Sequence, residues 1–161
     1  MAKTNRRGAR PSWFVGASYG GTDDQTERFI ADAIWKNGYK NKYHDVVRSM
    51  RPGDRIAIKA SYTRKHNLPF DNQGEFVSVV GIKAVGTITK NLGDGQVVRV
   101  DWAPTEPLRE WYFFTDRATV WRVLPGNWKN DGLIAFAFEH KPQDIERFQR
   151  TSHREFSRAE D

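Results

Sequence analysis

The stretch MRPGDRIAIKASY, residues 50–62, decides the class of fold. Its Pro52-Gly53 pair predicts a turn, and the alternation that follows predicts a β-strand over 54–62. Successive side chains of a strand point to opposite faces, so the apolar residues share one face. These residues are Ile56, Ile58, Ala60 and Tyr62. The opposite, polar face is expected to carry Lys59.

One short strand and two helices are predicted before this stretch. The apolar run Trp13–Ser18 is of strand type. Thr22 and Gln25 form a capping-box pattern, which predicts a helix that runs to about Trp35. A second helix is expected from about Asn41, because apolar residues follow at helical spacing. They are Tyr43, Val46, Val47 and Met50.

The region after residue 62 is predicted to be rich in β-structure. It holds a polar loop at 63–74, long enough to suggest a function, and a strand over 75–90 with Gly81 and Gly86 as candidate bends or bulges. The further elements are strands at 98–102, 110–115 and 119–124, a segment at 133–138 that fits a strand or a helix, and a short C-terminal helix after Pro142. The expected fold is α+β: a small mixed β-barrel with two helices inserted after the first strand.

The composition predicts one soluble domain. The chain has 161 residues, of which 38% are hydrophobic and 29% are charged, and it contains no cysteine. The absence of cysteine excludes thiol catalysis and cysteine-ligated zinc and favours the cytoplasm. No apolar run is long enough to span a membrane, so no membrane partner is expected. The domain is expected at 11–150, between a flexible basic arm at 1–10 and a polar tail at 151–161.

The net charge of +6 lies mostly on the arm, which holds +4 and no acidic residue. Basic arms are typical of proteins that contact nucleic-acid phosphates. The phosphate contacts expected from the sequence are Arg6, Arg7, Arg10, Lys59, Arg64, Lys65 and His66. The alternative for the segment 64–66 is a solvated surface loop.

No catalytic constellation is evident in the sequence. The four histidines do not pair at metal-ligand spacing, and no nucleophile or acidic cluster accompanies them. They are His44, His66, His140 and His153. The chain is therefore expected not to be an enzyme and to need neither a cofactor nor a metal. The enzymatic alternative is a small nuclease.

Aromatic residues make up 13% of the chain and include six Trp. An extruded base needs aromatic faces to stack on and hydroxyl or amide groups for its Watson–Crick edge. The expected base pocket consists of Ser18, Tyr19, Trp35, Asn37, Tyr39, Ser61, Tyr62 and Trp111. For each aromatic residue the alternative is a place in the core. The glycine-rich turn at 16–22 fits either a tight strand-to-helix turn or a cradle for one phosphate or base edge.

An ordered set of motifs resembles the EVE domain of the PUA-like barrel superfamily. The motifs are the opening strand at 13–18, the segment Trp35–Tyr39, and Met-x-x-Gly-Asp before a strand at 50–58. Further segments look closer still to the N-terminal modules of McrB-type AAA+ GTPases, which belong to modification-dependent restriction systems. These segments are 20–29, 62–72 and 110–113. The resemblance spans residues 12–150.

The resemblance implies a PUA-like barrel that reads double-stranded DNA by flipping a modified base, 5-methylcytosine or a related mark, into a pocket. Four residues match motif positions near that pocket: Ser18, Trp35, Tyr39 and Ser61. AAA+ GTPase and nuclease subunits are the implied partners. Because no GTPase motif follows the barrel, the chain is expected to be the recognition module alone. The alternative is an RNA-binding PUA-like module for single-stranded or modified RNA.

Overall fold

A computed structural model of the chain describes residues 9–160, with side chains described to residue 152. The elements in chain order are β1 (Ser12–Gly16), β2 (Ser18–Tyr19), β3 (Asp23–Asp24), α1 (Thr26–Asp32), β4 (Ile34–Lys36), α2 (His44–Arg48), β5 (Arg55–Arg64), β6 (Val77–Asn91), β7 (Val97–Trp102), β8 (Arg109–Tyr112), β9 (Val120–Val123), α3 (Trp128–Glu139) and α4 (Ile145–Glu160). Seven strands form one mixed sheet, and β2 and β3 form a separate ribbon. The predicted α+β class is confirmed.

The main sheet has the order β4-β7-β6-β5-β1-β9, and β8 pairs with β6 beside this path. β1 and β5 are parallel, with Gly16 opposite Lys59, and the other pairs are antiparallel. Parallel neighbours need a crossover connection rather than a hairpin. The chain makes that crossover through α1, β4 and α2, so the helices predicted after the first strand connect β1 to β5.

Both faces of the sheet are buried, and alternate residues of the central strands pack into hydrophobic clusters on opposite faces. Trp13 and Ile56 pack in one cluster with residues of α1 and α2. Phe14 and Ala57 pack in another cluster with residues of α3 and α4. The solvated polar face expected for Lys59 is therefore wrong, because α3, α4 and neighbouring loops cover that side and leave Lys59 only 5% exposed.

A buried carboxylate at the start of β5 joins that strand to β1. Asp54 is fully buried. It accepts hydrogen bonds from Trp13 Nε1 at 2.9 Å and from the Arg51 backbone N–H at 2.9 Å. Arg10 Nη1 donates to its other oxygen at 2.7 Å. The Asp54 backbone carbonyl accepts from the Ile88 N–H at 2.8 Å, so the predicted turn at this point holds β1, β5 and β6 together.

The first helix is shorter than predicted. The capping box expected at 22–25 does not form, since the Asp24 carboxylate instead accepts from the backbone N–H and hydroxyl of Thr26 at 3.0 and 2.6 Å. The helix ends before Ala33, which adopts the left-handed conformation with φ +56°. Trp35 consequently lies in β4, paired with β7, rather than on a helix.

The bulges of β6 fall at Lys83 and Thr89 rather than at the predicted glycines. Pairing with β5 and β7 skips these two residues. The glycines instead allow close approach of other groups. A Cβ on Gly86 would lie 2.6 Å from the Asp101 carbonyl oxygen, and one on Gly81 would lie 2.9 Å from a tyrosine hydroxyl.

The C-terminal region adds two helices to the second face of the sheet. The segment at 133–138 belongs to α3, whose N-cap Asn127 accepts from the Asn130 backbone N–H at 2.9 Å. α4 extends through Glu160, so it is longer than predicted and includes most of the expected polar tail. β8 is shorter than predicted, because Phe113 adopts φ +76°. Within residues 9–160, no helix is long and apolar enough to cross a membrane.

We expect Asp54→Asn to lower the free energy of unfolding by about 2–3 kcal/mol, because the amide leaves a buried donor without an acceptor. Urea unfolding followed by circular dichroism measures this change. The matched control is Asp45→Asn on α2, whose exposed carboxylate pairs with an exposed Arg48. That control is expected to stay within about 0.5 kcal/mol of the wild type. Equal effects of the two substitutions would contradict the role assigned to Asp54.

Candidate nucleic-acid interface

A cleft of about 270 Å³ opens where β1 ends. Its size is near the lower end of the ~300–1,000 Å³ range of pockets that bind small molecules. It is lined by Gly16, Ser18, Tyr19, Gly20, Gly21, Gly38, Tyr39 and Thr119. Three of the eight residues predicted for the base pocket therefore lie together here: Ser18, Tyr19 and Tyr39.

Tyr19 forms a fixed wall of the cleft. Its hydroxyl donates to the Lys36 carbonyl at 3.1 Å, and its ring meets the edge of Phe29 at a centroid distance of 6.0 Å. A Cβ on Gly38 would lie 2.5 Å from two carbons of the Tyr19 ring, so only glycine allows this packing. Burial raises the pKa of the Tyr19 hydroxyl, which therefore stays neutral.

Tyr39 forms the exposed wall, with 43% of its surface accessible. Its ring lies 5.4 Å from that of Tyr43, and the Lys42 ammonium is 5.3 Å from its centroid. The Tyr43 hydroxyl in turn accepts from the Thr119 backbone N–H at 3.3 Å, which connects this wall to the start of β9. The cleft thus combines one fixed ring with one ring that a planar ligand can reach.

The turn between β2 and β3 supplies the polar side of the cleft. Gly20 and Gly21 adopt φ +60° and +79°, and a Cβ at either position would meet open space. Glycine is therefore required here by backbone conformation. The adjacent Ser18 is exposed. Its hydroxyl and the backbone of the turn can hydrogen-bond the edge of a base.

Trp35 and Asn37 lie behind the cleft instead of lining it. Trp35 is fully buried, and its Nε1 donates to the Gly16 carbonyl at 2.9 Å. Asn37 is 1% exposed, and its Oδ1 accepts from the Tyr39 backbone N–H at 3.0 Å. Its amide nitrogen donates to the Lys42 carbonyl at 2.8 Å. Both residues therefore position the walls, and the expectation that a ligand touches them is wrong.

The other three predicted pocket residues lie away from the cleft. Ser61 has its hydroxyl 3.4 Å from the Asp116 carbonyl. Tyr62 donates to Glu110 Oε2 at 2.6 Å, and burial raises the pKa of its hydroxyl. Trp111 is fully buried, with its Nε1 donating to the Phe114 carbonyl at 2.9 Å. All three side chains are held by internal partners: Ser61 by the loop 113–119, Tyr62 by β8, and Trp111 by β8's following loop and aromatic rings of α3 and α4.

Three of the predicted phosphate contacts are engaged within the fold. Arg10 pairs with Asp54, and Arg64 forms an ion pair with Glu110 while donating to two loop carbonyls. Lys59 donates to the Asp116 carbonyl at 2.9 Å. Two predicted contacts, Lys65 and His66, are exposed on the loop after β5. Arg6 and Arg7 lie outside the described residues.

A larger cleft of about 560 Å³ lies beside Arg10. This larger cleft and the Tyr39 cleft lie at opposite edges of the sheet. Arg10 comes just before β1, whereas the Tyr39 cleft is formed by residues that come just after it. The aromatic lining residue of the larger cleft within the described chain is Trp13, which is fully buried. It therefore offers charge without an accessible aromatic face, and the cleft at Tyr39 fits a planar ligand better.

The strand directions bring several loops to the edge that carries the Tyr39 cleft. β1 and β5 are parallel, and β6 and β9 are antiparallel to their neighbours. The end of β1, the loop 65–76 and the loop 113–119 therefore meet at one edge. Arg117, Lys65 and His66 are exposed there.

Two cleft residues were missed by the sequence interpretation. Gly38 is not among the predicted pocket residues, and the signal that could have found it is that glycine allows a ring to approach the backbone closely, as Tyr19 does here. Thr119 was assigned only to a strand, since nothing in the sequence indicates that β9 pairs with β1. Its carbonyl accepts from the Gly16 N–H at 2.8 Å, which closes the base of the cleft.

In comparisons with known proteins, no family model and no curated protein matches the chain. Across residues 9–152, no group of three or more His, Asp or Glu side chains is placed to hold a metal ion.

The buried Lys59 predicts a pH dependence of stability. Burial lowers the pKa of its ammonium to about 8, so the unfolded chain binds more protons than the folded chain above that pH. The free energy of unfolding is therefore expected to gain about 1–2 kcal/mol from this group between pH 7 and 9.5. Lys59→Met should lack the gain, and Lys65→Met on the exposed loop should keep it. Urea unfolding at each pH measures the difference, and identical pH profiles for the wild type and Lys59→Met would contradict the assignment.

Proposed function

We propose that the protein is a DNA-binding module that recognises a modified base, 5-methylcytosine or a related mark, flipped into the Tyr39 cleft. The proposal includes the finer description of the fold as a PUA-like barrel of the EVE type. The sequence motifs and the mixed sheet with a helical crossover after β1 support it. The AAA+ GTPase and nuclease partners are proposed on the motif resemblance.

The observation that carries the proposal is the cleft itself. A flipped base requires an aromatic face, a second wall and a few polar groups. Tyr39 offers an exposed ring, Tyr19 a fixed wall, and Ser18 a hydroxyl beside the open backbone of Gly20 and Gly21. Ser18 and Tyr39, two of the four residues that the motif resemblance implies for the pocket, both line this cleft, and this supports the proposal.

The site residues have separate tasks in this proposal. Tyr39 stacks on the base, Ser18 and the glycine turn hydrogen-bond its edge, and Trp35 and Asn37 keep the walls in place from behind. Lys65 and His66 contact phosphates from the neighbouring loop. No step of bond breaking is involved, because recognition needs only the exchange of base stacking in the duplex for stacking in the cleft.

A binding panel tests this function. One duplex is prepared with cytosine, 5-methylcytosine, 5-hydroxymethylcytosine, glucosylated cytosine or N6-methyladenine at the same position. We expect tighter binding to at least one modified duplex. Tyr39→Ala should weaken that binding about tenfold or more, since base–aromatic stacking contributes ~1–3 kcal/mol. The matched control Tyr39→Phe keeps the ring and should retain the preference.

The panel also separates the alternative function. Equal affinity for all five duplexes would overturn the reading of a modified base in DNA. Tighter binding of single-stranded RNA than of every duplex, lost in Tyr39→Ala, would favour the RNA-binding module instead.

The basic arm yields a separate prediction. Removal of residues 1–8 takes away three cations and leaves the Arg10–Asp54 pair in place. We expect weaker binding to all duplexes alike, and a slope of log K against log salt that is smaller by up to about 3. Binding measured at several salt concentrations checks this. A changed base preference would show that the arm reads a groove.

A further inference from the structure

The loop between β5 and β6 presents an aromatic ring to solvent. Phe76 is 69% exposed, the largest exposed fraction among the large hydrophobic side chains of residues 9–152. The Lys65 ammonium lies 5.2 Å from the centroid of its ring. A single exposed Leu or Val is ordinary on a protein surface. A phenylalanine exposed beside a lysine places a flat apolar ring next to a cation.

The loop that carries Phe76 is held firmly although it has no regular secondary structure. Asn72 Nδ2 donates to the carbonyls of Lys65 and Glu75 at 2.9 and 2.5 Å, which closes the loop from inside. Phe70 packs against Tyr112 at a centroid distance of 5.1 Å. A side chain of α4 donates to the Asp71 carbonyl at 2.8 Å. The loop thus keeps Phe70 half-buried against the fold and leaves Phe76 exposed to solvent on a fixed support.

The position of Phe76 relates it to the cleft. It precedes Val77, which pairs with Arg64 at the end of β5, whereas the end of β1 pairs with Lys59. At about 3.3 Å per residue, Phe76 lies roughly 20 Å further along the strand direction than the end of β1. Both features are at the same edge of the sheet. A flipped nucleotide rotates by about 180° out of its stack, so the pocket and the vacated position in the duplex are separated from each other.

We propose that Phe76 is a wedge that enters the base stack of the duplex and stabilises the extruded state of the target base. The inference rests on the proposed function and adds a residue and a mechanism to it. Apolar side chains that insert between base steps offset the cost of unstacking, which is a few kcal/mol per step. Lys65 then contacts the phosphate nearest the inserted ring.

The charges of the loop favour a wedge over a simple electrostatic contact. Within the loop 65–76, Lys65 is outnumbered by the carboxylates of Asp71 and Glu75, so the loop has a net charge of −1 with His66 neutral. Any contribution of Phe76 to affinity must therefore come from the ring, and it should be insensitive to salt.

The test compares two forms of each duplex in the five-base panel. In one form the target base is paired, and in the other it faces an abasic site, where less pairing energy opposes extrusion. Phe76→Ala should lower the affinity for the paired modified duplex about tenfold and for the abasic form less than about threefold, because the wedge is needed mainly where pairing opposes extrusion. Phe76→Leu keeps an apolar wedge and should stay within about threefold of the wild type on both forms.

The matched control is Leu92→Ala, since Leu92 is 44% exposed on the hairpin at the opposite end of β6. It should bind both forms as the wild type does. Lys65→Ala should reduce the salt slope by about 0.9, whereas Phe76→Ala should leave the slope unchanged. Thermal unfolding of each variant confirms that the exposed substitution leaves the fold intact.

The outcomes separate the wedge from the function on which it rests. A wild-type protein without preference for any modified duplex overturns the proposed function, whatever Phe76 does. A wild type that prefers one duplex, with Phe76→Ala equally active or equally weakened on both forms, overturns the wedge alone. Self-association that is lost in Phe76→Ala while DNA affinity is unchanged also overturns the wedge and assigns the ring to a contact between copies.

Discussion

The buried carboxylate of Asp54 fixes the relation between the two parallel strands on which the rest of the molecule is built. β1 and β5 are joined by a long crossover, and no tight turn between them can set their register. Asp54 sets it by accepting from Trp13 of β1 and from the backbone before β5. Its own carbonyl accepts from β6. Because the first residues of β1 and β5 are held together, the position of the last residue of β1 relative to β5 is fixed. The position of the Tyr39 cleft, which follows β1, is fixed in the same way.

Much of this framework could be predicted from residue patterns. The turn at 51–54 and the strand after it follow from Pro, Gly and the alternation, and β7 follows from the same kind of evidence. The pairing of distant segments could not be predicted, because the contacts between β1 and β9 or between β4 and β7 have no local signature. The bulges of β6 at Lys83 and Thr89 were missed for a related reason. A bulge depends on the register of two strands. Glycine is needed wherever another segment or side chain of the same protein approaches the backbone closely.

The candidate site was predicted less well than the fold, because aromatic and cationic side chains have two uses. Trp35 is a residue type that is common in aromatic pockets. Ala33 ends the helix early, however, and the indole lies in the core, where its N–H donates to the Gly16 carbonyl. Lys59 alternates with apolar residues as a surface lysine does. Both faces of its strand are covered, however, and its ammonium is directed to the Asp116 carbonyl. Burial of a second face by helices far along the chain cannot be inferred from a strand's own pattern.

The internal use of these cations changes how selectivity can arise at this edge of the sheet. Nonspecific affinity for DNA grows with the number of phosphates that free cations neutralise. Arg64 is paired with Glu110 and Lys59 donates to the Asp116 carbonyl, so neither cation is free to neutralise a phosphate at this edge. Weak nonspecific binding lowers competition from unmodified sequence, because the useful quantity is the ratio of specific to nonspecific affinity. In the proposed function, this internal pairing of cations favours selectivity, and the energy that distinguishes one base from another comes from the Tyr39 cleft, where Ser18 and the glycine turn contact the edge of the base.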